Sequence, residues 1–157
     1  MAFYNKLGYV RDQVICEDMA LPNTTNLTAT NTITLDAGKS NTLRVIICAA
    51  STTTEIADGQ TISFTPLFGN TAAAGGCLNR CLGTHVLTGG DVSLNDPGAV
   101  TTKDFPDPLT FLPGALIYAF DIPSELCSAY KYMKLNIACS ANESEDKIEA
   151  FTVIINN

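Results

Sequence analysis

The chain has 157 residues, 46% hydrophobic and only 16% charged, with a formal net charge of −7 at pH 7. A single domain of that size buries roughly 68–70% of its unfolded surface, so its core needs no disulfide or metal staple. The nine Lys+Arg are scattered among sixteen Asp+Glu, which excludes a nucleic-acid surface, and no stretch reaches the ~20 apolar residues of a membrane-crossing helix.

Residues 1–12 form a leader carrying Phe3, Tyr4, Leu7, Tyr9 and Val10 at a spacing that fits neither helix nor strand. Aromatics are the usual anchors at interfaces, so the leader either packs on the body of its own chain or forms an arm that docks on a neighbour. It lacks a positive segment followed by an apolar one, which predicts synthesis and retention in a cytoplasm unless a larger assembly carries the protein out. The six cysteines are then expected as thiols.

Residues 13–157 read as one all-β domain. Gln13 to Met19 is a first strand, and Pro22-Asn-Thr-Thr-Asn26 a turn. Asn31 to Asp36 alternates, with Ile33 and Leu35 inward. Leu43 to Ala50 is apolar on both faces, which predicts a central strand. Ser51 to Asp58 is a polar connection. Gln60 to Pro66 places Ile62 and Phe64 inward and Thr61, Ser63 and Thr65 outward, with Pro66 at an edge or at the strand's end. From Leu67 to Pro108 the pattern weakens into a glycine-punctuated insert, where only His85-Val-Leu87 suggests a strand. Ala115 to Ile122 puts Leu116, Tyr118, Phe120 and Ile122 on one face. Pro123-Ser-Glu125 predicts a turn. In Tyr130 to Cys139, Met133, Leu135, Ile137 and Cys139 point one way and Tyr132, Lys134 and Asn136 the other. Ile148 to Ile155 is apolar on both faces, which predicts a place inside a sheet or under a second layer. About eight short strands with turn chemistry between them predict an antiparallel two-sheet sandwich of jelly-roll type.

The sequence offers little chemistry. Cys77-x3-Cys81-x3-His85 would share one face of a helix and could ligate zinc, but the flanking glycines oppose a helix and no second ligand pair follows. His85 is the sole histidine, and no Gly-x-Ser-x-Gly elbow accompanies it. Asp104 with Asp107, and Glu143 with Glu145 and Asp146, are carboxylates in turn-rich loops, where solvated charge is the ordinary reading. The Asn142–Asp146 run lacks the spacing of a calcium loop. No catalytic residue, metal or cofactor is expected, and the protein reads as a non-enzymatic binding or structural module.

The opening Met1 to Gln13, Leu27-Thr-Ala-Thr-Asn-Thr-Ile-Thr-Leu-Asp36, Phe120-Asp-Ile-Pro-Ser124, Tyr132-Met-Lys-Leu-Asn136 and Ile148-Glu-Ala-Phe-Thr-Val153 together resemble the jelly-roll capsid cement, or decoration, proteins of tailed bacteriophages. The resemblance covers the first and last thirds of the chain, and the insert at 67–108 is longer than the family pattern. It implies a virion protein on the capsid exterior, assembled in the host cytoplasm. Such a protein binds the major capsid protein of an expanded shell, often as a homotrimer, with no nucleic-acid or membrane partner. Phe3, Tyr4, Leu7 and Tyr9 are the expected contact residues, being the side chains least needed by the sandwich. Two rivals stand beside it. A carbohydrate-binding or adhesin sandwich shares this composition, although the chain has no Trp to serve as a sugar platform. An enzyme would have to use His85.

Overall fold

Period-two alternation dictates what each strand buries, and the computed structural model shows it over residues 11–35, 41–57, 59–72, 82–89 and 109–155, the part of the chain described here. In chain order the elements are β1 (Gln13–Ala20), β2 (Asn26–Thr28), β3 (Ile33–Thr34), β4 (Thr42–Ala49), β5 (Thr54–Ile56), β6 (Thr61–Gly69), β7 (His85–Thr88), β8 (Leu109–Phe111), β9 (Leu116–Ile122), α1 (Ser124–Ala129), β10 (Tyr132–Cys139) and β11 (Lys147–Ile155). Met133, Leu135 and Ile137 of β10 are fully buried and Cys139 nearly so. Ile62 and Phe64 of β6 meet them from the neighbouring strand.

One sheet has the order β1-β11-β4-β9. The other has β2-β10-β6-β7, with β3 also on β10, and β5 and β8 form a separate two-stranded ribbon. All the pairings are antiparallel. They nest: β1 with β11, β2 and β3 with β10, β4 with β9, and β6 with β7. The chain is thus one long hairpin with its tip after β6, wrapped so that successive strands alternate between sheets. That is the jelly roll, and the fold class expected from sequence is the one observed. The core between the sheets is aliphatic, with Phe64, Phe68 and Phe120 its aromatic members.

Because strand direction alternates, the connections β1–β2, β4–β6, β7–β9 and β10–β11 gather at one end of the sandwich. The β5–β8 ribbon belongs to two of these connections and caps that end. Gly89 closes the junction. Its N–H donates to the Gln60 carbonyl at 2.9 Å, and its own carbonyl accepts from Gly59 N–H at 3.1 Å. A Cβ on Gly89 would lie 2.1 Å from the Ile56 carbonyl oxygen, so only glycine fits.

Several expectations change. Leu116 is 42% exposed while Ile117 is 7% exposed and joins the core. The cause is a bulge: Tyr118 pairs with Ile47, but Cys48 pairs with Leu116, leaving Ile117 as the extra residue. A bulge reverses the inside-outside alternation beyond it. Of the two places expected for Pro66, it takes the edge and not the strand's end: β6 runs on to Gly69, and β7 pairs only with Thr61–Phe64. Thr65, expected outward, is buried and shares a 2.9 Å hydroxyl contact with Thr84. The turn expected at Pro123–Glu125 is the start of α1. Pro123 presets φ at −66°, and its carbonyl accepts from Leu126 and Cys127 N–H. The polar connection after β4 contains β5, and the expected strand at Asn31–Asp36 shrinks to β3, with β2 preceding it. Most of the 67–108 insert lies outside the described residues.

The bulge predicts an inverted pair of outcomes. Ile117→Ala should cost about 2 kcal/mol or more in chemical denaturation, because it empties a core site, whereas Leu116→Ala should stay within about 1 kcal/mol. Equal losses would show that the alternation runs unbroken through β9.

Candidate functional site

The polar residues that the fold brings together lie at the capped end. Asn142 Oδ1 accepts from Ser144 N–H at 3.1 Å and from Ser144 Oγ at 2.7 Å, an Asx turn that shapes the β10–β11 loop. This loop is stitched to the β1–β2 loop by Glu143 N–H to the Pro22 carbonyl at 3.3 Å and by the Asn23–Asn142 bridge. It is joined to β5 by Glu55 N–H to Asp146 Oδ2 at 3.1 Å, across 91 residues of sequence. Glu55, Gln60, Asn142, Glu143, Glu145 and Asp146 thereby line an open hollow of about 640 Å³.

The hollow is electrostatically one-sided. Burial first, then the charge and hydrogen bond of Asp146 and the charge of Glu55, hold the Glu143 carboxyl above its ordinary range. Asp146 already accepts the Glu55 N–H. Among the described residues no group of three or more His, Cys, Asp or Glu side chains has the geometry to hold a metal ion. The carboxylates Glu143, Glu145 and Asp146 are therefore brought together as the sequence suggested, with Glu55 and Gln60 added from far away in the chain.

A second polar anchor flanks this end. Asp18, in a bulge of β1 at φ 43°, accepts from Ser51 N–H at 3.1 Å, from the Ser51 hydroxyl in a very short bond, and from Lys147 Nζ at 3.5 Å. The Ser51 bonds lower the Asp18 pKa. The positive φ falls on an Asp, a residue whose short polar side chain tolerates that region.

Among the described residues, the neighbours of His85 are aromatic. Its ring stacks on Phe120 at 4.6 Å and 16° and leans on Tyr118 at 5.1 Å. Nδ1 lies 3.1 Å from the Tyr118 hydroxyl, and Nε2 is buried without a hydrogen-bond partner among the described residues. Burial lowers the His85 pKa, which favours the neutral ring. The cluster joins edge strand β7 of one sheet to edge strand β9 of the other and seals the side of the sandwich. Cys77 and Cys81, the other members of the expected metal spacing, lie outside the described residues, as do Asp104 and Asp107.

Cys16, Cys48, Cys127 and Cys139 are free thiols. Burial pushes Cys16 and Cys139 up to about 12 and Cys48 to about 11, which suppresses the reactive thiolate. Phe3, Tyr4, Leu7 and Tyr9 lie outside the described residues, and the described chain begins at Arg11. No family model, curated protein or solved structure matches the chain.

The raised Glu143 pKa has a sign that can be measured. A carboxyl raised in the folded state contributes stability below its unfolded value of 4.5, and that contribution is lost as pH rises through the folded value. Glu143→Gln should therefore raise Tm slightly near neutral pH, and its melting curve should converge with the parent's below about pH 4. A variant less stable than the parent at neutral pH would show that the Glu143 carboxylate is a net contributor to the loop.

Proposed function

We propose that this jelly roll is a non-enzymatic structural virion protein that binds the outer surface of an icosahedral phage capsid and bridges major capsid protein subunits. One observation carries the reading. The segments that resemble cement proteins lie on mutually bonded strands. Leu27–Asp36 spans β2 and β3, both paired with the Tyr132–Asn136 segment of β10, as Asn136 with Thr28 and Met133 with Ile33. Ile148–Val153 lies in β11, between β1 and β4. Jelly rolls serve in capsid and lectin domains alike, so the fold agrees with this role without singling it out.

The surface chemistry supports the reading. An acidic protein avoids capturing nucleic acid released around assembling particles. A repeating lattice lets many weak contacts hold a coat firmly, and a homotrimer at a local three-fold position multiplies the contacts of each unit. Binding only to an expanded shell follows if the complementary surface exists only there. Phe3, Tyr4, Leu7 and Tyr9 are the proposed contact residues on neighbouring subunits.

Stripped particles should take the protein back to a fixed number of copies per shell subunit, and loaded shells should survive more heat than stripped ones. Deletion of residues 1–12 should abolish co-sedimentation while leaving the circular dichroism of the sandwich intact. A folded truncation that still loads the shell would remove the arm from the contact. Failure of the full chain to load, together with binding on a glycan array, would replace the cement reading with the carbohydrate-binding one.

A further inference from the structure

β7 has four residues and, among the described strands, one partner, β6. An edge strand that short makes few ladder bonds, so its side chains decide how firmly it is held. Val86 is 54% exposed, whereas Leu87 packs on the inter-sheet core. His85 makes the contact with the opposite sheet. Its ring lies flat on Phe120 of β9 and leans on Tyr118, with Nδ1 3.1 Å from the Tyr118 hydroxyl. Phe64, opposite His85 in the β6–β7 ladder, stacks on Tyr118 at 6.5 Å and 17°. These rings tie the edge of one sheet to the edge of the other.

A neutral imidazole has one donor and one acceptor nitrogen. Where Nδ1 accepts from the Tyr118 hydroxyl, Nε2 carries a hydrogen without an acceptor; where Nδ1 donates, Nε2 is a lone pair without a donor. In both tautomers Nε2 is buried and unpaired. A proton taken from water makes both nitrogens donors and adds a full charge. The Nε2–H of that cation has neither an acceptor nor water, and an unpaired buried charge costs far more than an unpaired neutral group. The Phe120 ring face favours a cation, but it cannot accept a hydrogen lying in the plane of the stacked imidazole. Around the ring, β9 presents Tyr118, which is titratable, and Phe120, while β6 presents Phe64. Thr84, just before β7, shares its hydroxyl with Thr65 of β6. No carboxylate or ammonium acts on His85, whose pKa burial alone lowers.

We propose that the His85–Tyr118–Phe120 seam is a pH-sensitive clasp, in which protonation of His85 is coupled to release of β7 from β9. Release lets the Nε2–H of the cation reach water and opens this side of the sandwich. Linkage gives the sign. Burial holds the folded His85 below its ordinary value of 6.5, so the released state takes up the proton more readily. The clasp's contribution to stability is present in full above 6.5 and is lost as pH falls through 6.5 toward the lower folded value. What the opening uncovers is apolar, since Phe120 is 8% and Phe64 0% exposed when the seam is closed. Acid acts in the opposite direction at the capped end, where Glu143 is held above its ordinary value. The inference concerns the free protein and stands whether or not the domain binds a shell.

His85 is the sole histidine, so its ring protons give an unshared NMR signal that reads protonation directly. Hydrogen exchange at the β7 amides, corrected for the intrinsic effect of pH, reads release. From about pH 8 to 5 the parent's β7 amides should lose protection at least about threefold, with the amides that join β10 to β6 unchanged. The ring should titrate below 6.5 with the same midpoint. His85→Phe keeps a ring that takes no proton, and its β7 protection should stay level over the same range. A ring that titrates at 6.5 or above, or parent β7 protection that stays level while the ring titrates, would overturn the proposal. So would an equal loss of protection in His85→Phe. Should that variant fail to fold, the parent decides: coincident ring and exchange midpoints support the clasp, and separate ones refute it.

Discussion

The sandwich depends on β11. It enters one sheet between β1 and β4, so both of its edges are spent on hydrogen bonds. Ile148 and Ala150 help fill the inter-sheet core, and Phe151 and Val153 supply half of the second cluster on the other side. No other strand serves two ladders and two apolar layers so evenly except its neighbour β4. The sequence of β11 reflects this demand. A strand wetted on one face alternates, whereas Ile148–Ile155 carries β-branched or aromatic residues at most positions on both sides. Removing it would leave β1 unpaired, part β4 from a partner, and expose the inner face of the second sheet.

That logic also explains what was legible in the sequence. β10 and β6 were readable because alternation is a local property, fixed by the pleat itself. β4 and β11 were readable because uninterrupted apolar runs have few other uses. The bulge at Ile117 was not readable, because the insertion of one residue is set by pairing with Cys48 and Ile47, some seventy residues earlier in the chain. Pro66 left two places open, an edge or the strand's end, and pairing chose the edge. A proline inside a strand is forbidden only where a partner needs its N–H, and β7 has already ended there. The β5–β8 ribbon was missed because its short strands are marked by neither length nor pattern, only by each other.

The acidic hollow was half legible. Three of its carboxylates are adjacent in sequence. The fourth, Glu55, arrives through a nested topology that no local spacing encodes. The histidine shows the reverse. As a sole histidine near two cysteines it invited a chemical reading, but its neighbours among the described residues are aromatic rings, and it serves as part of a seam between sheet edges. Both cases agree with a domain whose polar groups mostly hold loops and edges in place, consistent with the structural role proposed for it.

The nested hairpin has a consequence during synthesis. The outermost pair, β1 with β11, joins the first described strand of the sandwich to the last. At about 5–20 residues per second, β1 waits on the order of ten seconds for the strand that covers its edge. Until residues 147–155 emerge, β1 and β4 face each other across an empty slot the width of one strand, both with unpaired backbone groups. Such edges are where chains stick to one another. The nascent protein is thus most in need of chaperones just before its final strand leaves the tunnel, and the tightest constraint of the finished molecule is also the last to be satisfied.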